Sequence, residues 1–341
     1  MSGAPSRSVW PARAADLAAR IPRGRLHPVA LAWAEAAPAA QTWGVGFSGG
    51  PDSLALLLLL WAHWPKRRGQ LCALHFDHRL RGADARADAR FCRKICRALG
   101  VRFRTAAWRK APPAASEAEA RRARFAFFDR ALAGRRPGAL WLGHQQDDIA
   151  ESLLMRLARG SGAGGLSAPR PVQPAGAGPI RVRPLLSLSK AELTAALRAA
   201  RIPWREDLTN AEPNFFRNRI RRRVIPAWTK AAQRDAMAGA ARSRELLAED
   251  DAAIEGWVER LRLLTPAGRL RLAGLSGVPR AVTRRALHRW LLAQPAAGEL
   301  SRQGFERLLA AVEAGQPTRQ SLGAVSFAVI RGGWLRSEGP K

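Results

Sequence analysis

Residues Ser48, Gly49, Gly50, Pro51, Asp52 and Ser53 stand between an alternating apolar run, TWGVGF at 42–47, and a leucine-rich one, LALLLLLW. Proline at a first helical position costs no hydrogen bond, so Gly50 becomes the helix cap, and Asp52 and Ser53 fall in the first turn. The open amides of that turn, the glycine backbone and the helix dipole together form an anion nest. Ser48 and Ser53 add hydroxyl donors. A carboxylate beside phosphates is repulsive unless a cation bridges them, which makes Asp52 a candidate Mg²⁺ ligand. The plainer alternative is a capped turn in which Asp52 only complements the dipole. No Gly-Lys pair occurs anywhere in the chain, which excludes a Walker loop, and the glycines do not follow the GxGxxG spacing. Without a lysine aimed at the terminal phosphates, chemistry at the α-phosphate is favoured, with pyrophosphate held by the loop.

A second group, GHQQDDIAESLLMRLARG, places His144, Asp147, Asp148 and Glu151 at spacings of three, four and seven, on one face of a helix start. Acids there suit the dipole, but their mutual repulsion asks for a metal or an amine. In SEAEARRARFAFF, Ser116 and Glu119 read as a capping box, and Arg121 and Arg124 share a face. In HFDHRLR, His75, Asp77 and His78 lie at a strand end; they make a weak zinc set and a better nucleotide-pocket lining. Five arginines, Arg217, Arg219, Arg221, Arg222 and Arg223, crowd one seven-residue stretch suited to phosphate contacts.

These groups need elements to position them. Strand-length runs at 42–47, 71–76, 101–107 and 139–144 alternate with helical stretches at 52–64, 83–99 and 117–133, and another follows at 147–158. Such alternation predicts a parallel sheet with helices on both faces and right-handed crossovers. Every polar group except the arginine run and the 116–128 helix follows a strand's carboxyl end, where ligands of such sheets gather. The Gly- and Pro-rich stretch 160–180 reads as a long loop expected to close over the site. A capping box, Ser189 with Glu192, opens a further helix. Beyond 228 the chain reads as mostly helical to about 314, then as a hairpin turning at Gly332-Gly333.

A chain of 341 residues, 47% hydrophobic, has room for two domains. We expect a flexible tail over 1–24, a catalytic domain over 25–226 and a smaller helical RNA-binding domain over 227–341. The formal charge of +30 favours a polyanionic partner, nucleic acid first. Only six of the 57 basic residues are lysine and tyrosine is absent, so compositional bias accounts for arginine over lysine but not for the charge itself. Three cysteines without paired spacing argue against a disulfide framework or zinc site, and fit a reducing cytoplasm. No apolar run is long enough to span a bilayer.

Taken in order and spacing, SGGPDS, HFDHRLR, EAEARRARF, GHQQDDIAESLLMRLARGSGAGGL, RPLL and EDLTNAEPNFFRNRIRRRVIP resemble the tRNA(Ile)-lysidine synthetases over residues 40–228. The likeness beyond 228 is weak. It implies an α/β ATP pyrophosphatase (PP-loop) domain followed by a small tRNA-gripping domain. In that family, ATP adenylates the wobble-cytidine carbonyl of tRNA(Ile) with a CAU anticodon and releases pyrophosphate. The side-chain amine of L-lysine then displaces AMP. By position, the resemblance assigns Ser48–Ser53 to the ATP phosphates and Asp52 and Asp148 to Mg²⁺. It makes Asp77, Arg124 and Glu151 candidates for the lysine and reaction site, while His144 and Asp147 order the helix start. Arg217, Arg219, Arg221, Arg222 and Arg223 would contact tRNA. Two departures are HQQDD before the acidic pair and Phe125 where the family often has tyrosine. The length also suggests that the second C-terminal domain of longer members is missing. Two rival readings are a PP-loop tRNA thiolase, which commonly needs a cysteine pair or an iron-sulfur cluster, and a noncatalytic RNA-binding protein on the same fold.

Overall fold

The computed structural model describes residues 9–78, 83–108, 112, 116–134, 138–176, 178–206, 216–294, 300–323 and 326–339. The end of HFDHRLR, beyond His78, and the stretch LTNAEPNF, within 207–215, lie outside the described residues. The chain forms two compact units, up to Glu245 and from Leu246.

In the first unit, strands β1 (Trp43–Gly46), β2 (Leu71–Asp77), β3 (Arg102–Ala107) and β4 (Ala139–Trp141) alternate with helices α3 (Pro51–His63), α4 (Ala83–Leu99) and α5 (Glu117–Leu132), as the apolar periodicity predicts. Two helices precede them, α1 (Trp10–Arg20) and α2 (Pro28–Ala36). After β4 come α6 (Gln146–Leu157), α7 (Ala163–Leu166), β5 (Val172–Ala175), β6 (Gly178–Val182) and α8 (Lys190–Ala199). The sheet order is β3-β2-β1-β4-β6-β5. β1 pairs in parallel with both β2 and β4, and only the edge strand β5 runs antiparallel. The chain therefore winds outward from β1 to β3 and restarts on the other side at β4, which makes the β1/β4 boundary the topological switch point.

The leucine run of α3 is explained by burial on every side. Leu54 through Leu60 are fully buried, packed with β1, α1 and α8, as expected of a helix hydrophobic all round. Within the described residues, 9–24 are not the expected flexible tail. Trp10, Ala14 and Leu17 of α1 recur at helical spacing and bury one stripe in the same core. On the opposite face, α5 packs Phe125, Phe127, Phe128 and Leu132 against Cys72, Leu74, Leu140 and Leu142.

The segment 160–180 is not one loop. It contains α7, then β5 and the start of β6, which joins the sheet beside β4. Buried Arg183 fixes this edge by donating to the Arg170 carbonyl at 2.7 Å and to Gln173 Oε1 at 3.1 Å.

Helix α9 (Phe216–Arg219), a π-helical turn over Ile220–Val224, and α10 (Ile225–Ala232) follow one another without a break, and α11 (Ala236–Leu261) comes next. The first unit ends later than the expected 226 because the start of α11 belongs to it. Arg244, 2% exposed, donates to His27 Nε2 at 3.2 Å.

The second unit has its own core of Trp290, Leu287, Leu308, Leu309, Leu335 and neighbours. Helices α12 (Arg280–Leu292) and α13 (Arg302–Ala314) supply much of it, together with strands β7 (Leu270–Arg271), β8 (Thr318–Ser321), β9 (Phe327–Arg331) and β10 (Trp334–Glu338). The predicted hairpin is β9–β10, turning at Gly332 and Gly333, both at positive φ. It sits inside a four-stranded antiparallel sheet, β7-β10-β9-β8, larger than expected. Among the described residues, no helix is long and apolar enough to cross a membrane.

Candidate active site

The loop between β1 and α3 is built as its sequence predicts, with Gly50 as cap, Pro51 opening the helix and Asp52 in the first turn. Gly49 has φ +89°, the left-handed region that favours glycine. The two serines face each other. Ser53 Oγ accepts from the Ser48 amide at 3.2 Å and donates to the Gly50 carbonyl at 3.1 Å, while Ser48 Oγ lies 3.1 Å from Ser53 Oγ. They therefore shape the turn. Gly143, just past β4, approaches so closely that a Cβ there would meet the Asp52 carbonyl at 2.9 Å and the Ser53 amide at 3.1 Å. Sequence reading missed Gly143; its signal is a glycine one residue before His144, at the end of the strand beside β1.

Helix α6 starts with a capping box. The Gln145 amide donates to Asp148 Oδ2 at 3.0 Å, and Gln145 Oε1 accepts from the Asp147 amide at 2.5 Å. Asp147 turns away from the other acids and accepts from the Lys190 amide at 2.9 Å, which ties α6 to the first turn of α8. Asp148 and Glu151 are buried, 8% and 1% exposed. Their repulsion is answered by two arginines of the dense basic run. Arg217 Nε donates to Glu151 Oε2 at 2.6 Å and its Nη2 to Asp148 Oδ1 at 2.5 Å. Arg221 Nε and Nη2 donate to the two Glu151 oxygens at 2.5 and 3.0 Å. Burial works against both guanidinium charges, but Asp148 and Glu151 outweigh it and hold their pKa values above the usual arginine range.

This placement divides the five arginines expected to act together. Arg217 and Arg221, four apart, reach inward to the acids. Arg219, Arg222 and Arg223 line a separate hollow with Asn218. The π-helical turn carries this division, and such turns recur at functional sites.

A cavity of about 480 Å³ lies at the carboxyl ends of β1, β2 and β4. The Ser48–Ser53 loop, His144, Asp148, Lys190, Arg217 and Arg221 line it on one side, and Glu117, Arg121, Arg124 and Phe125 of α5 on the other. Arg205 also lines it, and its amide donates to the Gly49 carbonyl at 3.0 Å. Asp77 is placed differently from expectation. Side chains alternate along β2, so Phe76 and His78 face the cavity while Asp77 points to the α4 side, near His75.

The charges in this cavity are unbalanced. Burial, then Arg121 and Arg217, push the Arg124 guanidinium down to about 10, and its Nε is buried without a partner. Burial, helped by Arg183, Arg121, Arg217 and Arg124, drives His144 well below its usual range, so its imidazole is neutral. Burial, then the neighbouring Asp148, lifts Asp52 to about 6, and Asp52 Oδ1 is also buried without a partner. The site thus holds an excess of guanidinium groups facing a nest of amides. That is a receptor for a polyanion, with an unsatisfied carboxylate beside it. None of the three cysteines lines the cavity: all are buried, Cys92 behind Gly49 of the phosphate loop, and burial raises each thiol, Cys96 to about 12.

The PP-loop domain family matches residues 29–228. The tRNA(Ile)-lysidine synthase of Gloeobacter violaceus is 35% identical over 296 residues, 85% of this chain and 89% of that protein. Those of Solibacter usitatus and Geobacter sulfurreducens are each 37% identical, over 86% and 77% of this chain. The chain spans 66% and 57% of their lengths. Among solved structures, the U34-tRNA thiolase of Methanococcus maripaludis with its [4Fe-4S] cluster superposes with a TM-score of 0.51 at 16% identity. That match covers 70% of this chain and 78% of the thiolase, and the likeness is one of fold. By the match of its PP-loop domain and its identity to a relative it spans almost entirely, this chain belongs to the tRNA(Ile)-lysidine synthase family of PP-loop proteins.

Proposed function

We propose that this protein is a carbon–nitrogen ligase that joins L-lysine to the wobble cytidine of tRNA(Ile) with a CAU anticodon, at the expense of ATP, in the cytoplasm. The observation that carries the reading is one cavity combining a Ser48–Ser53 phosphate nest, in which no lysine follows the glycines, with an acid pair held by arginines. In the first step the cytidine carbonyl oxygen attacks the α-phosphorus of ATP, and the bond to pyrophosphate breaks. In the second, the lysine side-chain amine attacks the same base carbon, the carbon–oxygen bond breaks, AMP departs and the amine loses a proton. Adenylation makes a poor leaving group a good one.

The amides of Gly49, Asp52 and Ser53 and the α3 dipole bind the phosphates, while the Ser48 amide and the two serine hydroxyls hold the turn. Asp52 and Asp148 fit a Mg²⁺ ion, since Asp52 Oδ1 is buried without a partner and Asp148 faces it closely enough to raise its pKa. When bound, that ion would neutralise phosphate charge. Arg124 and Arg121 stabilise charge on the reacting phosphate. Glu151 receives the lysine amine. Its two oxygens accept three hydrogen bonds from Arg217 and Arg221. Phosphates competing for those guanidiniums would free the carboxylate for an ammonium, so ATP would precede lysine. Asp77 supports the pocket from behind β2, while His144 and Asp147 shape the α6 start. Arg219, Arg222 and Arg223 contact the tRNA backbone.

The test is incubation of the full chain with tRNA(Ile), ATP, Mg²⁺ and radiolabelled lysine. The reading requires label in the tRNA that depends on ATP; tRNA binding without incorporation would overturn it.

A further inference from the structure

The chain leaving α8 passes beside the phosphate loop over 202–205. Ile202, 2% exposed, and Trp204 fasten it to the core of the first unit. Arg205 follows and touches two elements at once. Its amide donates to the Gly49 carbonyl at 3.0 Å, and its guanidinium Nε donates to Asp88 Oδ1 of α4 at 2.6 Å. The Asp88 side chain is 17% exposed and does not line the cavity, whereas Arg205 does. Phe91 and Cys92 stand three and four residues beyond Asp88, on the same face of α4. They press against the loop: a Cβ added at Gly49 would meet Cys92 Sγ at 3.1 Å and Phe91 Cδ1 at 3.4 Å, with Arg205 Cγ at 3.6 Å.

The peptide between Gly49 and Gly50 is the one in this loop freest to turn over, because neither flanking residue has a Cβ to restrict its dihedrals. In a trans peptide the carbonyl and the amide hydrogen point in opposite directions. Holding the Gly49 oxygen at Arg205 therefore fixes the Gly50 amide on the other side, where Ser48 Oγ accepts from it at 3.4 Å. A flipped peptide would exchange the two and set a carbonyl dipole among the amides that an anion needs. The Arg205 amide can hold the carbonyl only while its own position is fixed. The ion pair with Asp88 fixes it from the side of α4, and Ile202 and Trp204 fix it from the core.

We infer that Arg205 is a positioning residue for the nucleotide: tied to α4 through Asp88, it uses its main-chain amide to lock the Gly49–Gly50 peptide in the anion-binding orientation. The inference rests on the phosphate-binding role proposed for Ser48–Ser53 and names what keeps that loop in shape. Direct contact of the Arg205 guanidinium with phosphate would give the opposite response at Asp88. Removing that acid frees a cation at the cavity, which tightens the binding of a polyanion if charge alone acts. If Arg205 works by position, the same change releases the Gly49–Gly50 peptide and weakens binding.

The experiment uses the full chain as wild type, D88A and D88N. Calorimetry measures binding of α,β-methylene-ATP with Mg²⁺, and steady-state assays measure lysine incorporation. D88A should bind the nucleotide about tenfold more weakly although it removes a negative charge, as follows if the competent loop falls to about a tenth of the population. KM for ATP should rise in the same proportion while kcat stays within about twofold. D88N keeps an oxygen that can accept from Arg205 Nε, and should recover most of the affinity. Binding by D88A as tight as wild type, or tighter, would overturn the inference. Equal losses in D88A and D88N with a lowered melting temperature would also overturn it, since they would mark damage to α4. A wild-type chain that binds the nucleotide but incorporates no lysine would overturn the proposed reaction and leave the role of Arg205 standing; one that binds no nucleotide would overturn both.

Discussion

Arg217 Nε lies 2.6 Å from Glu151 Oε2, joining the basic run near residue 220 to an acid 1% exposed on α6. With Asp148 and Arg221 they make a buried set of two acids and two guanidiniums, neutral as a whole. Breaking a fully buried ion pair typically costs about 3 to 5 kcal/mol, and the partial exposure of Arg217 and Arg221 puts this set at the low end. Glu151→Gln should therefore lower stability by about 3 kcal/mol in urea unfolding and abolish lysine incorporation. Arg221→Lys keeps the charge but loses the forked contact, and should cost about 1 kcal/mol. A Glu151→Gln protein as stable as wild type would show that the set contributes nothing to the fold.

Asp52 should show the opposite behaviour. Its carboxyl is raised from 3.8 to about 6 by burial and by Asp148, so the folded state binds this proton more tightly than the unfolded chain. The stability this contributes is present at low pH and is lost as pH rises from about 4 through 6. The full gap is worth about 3 kcal/mol. Asp52→Asn keeps the shape without the charge, so it should match wild type at pH 4 and melt higher at pH 8 while losing adenylation. Melting curves at the two pH values check this; equal melting at pH 8 would mean that the charge at Asp52 is already compensated.

Gly143→Ala tests the fit of β4 against the phosphate loop. The added methyl would press on the Asp52 carbonyl and Ser53 amide, displacing the first turn of α3. KM for ATP should rise at least tenfold with the far-ultraviolet spectrum unchanged. At Gly134, where nothing lies within 4 Å of an added Cβ, the same substitution should be silent.

The strand-helix alternation from Trp43 to Leu157 was legible because each short apolar run is bounded by a helix of the right length, and the phosphate loop because Pro51 and the glycines dictate its turn. Strand β6 was hidden by composition: Gly and Pro mark loops, yet Gly178–Val182 needs only five residues to pair beside β4. Helix α1 was masked by its alanines and arginines, although Trp10, Ala14 and Leu17 already lay on one stripe. Five arginines in a row of seven read as one surface, and only the i, i+4 spacing of Arg217 and Arg221 hinted that two of them turn inward. A strand end reads as one cluster in the sequence, whereas alternation sends Asp77 to the face opposite Phe76 and His78.

The buried thiols predict indifference to cysteine. Replacing Cys72, Cys92 and Cys96 by Ala removes small volumes from the core and should lower stability by a few kcal/mol at most. Lysine incorporation at 25 °C should be retained, and a folded triple variant without base modification would favour thiol or cluster chemistry.

The central claim is cleavage of ATP at the α-phosphate for transfer of lysine to one base. The most direct measurement is the stoichiometry of a single-turnover reaction with tRNA(Ile), labelled lysine and ATP labelled in the α- and γ-phosphates. One AMP and one pyrophosphate should appear for each lysine joined to the tRNA, with adenylated tRNA accumulating when lysine is withheld. Release of ADP and phosphate, or AMP formation unaccompanied by adenylated or lysine-bearing tRNA, would contradict it.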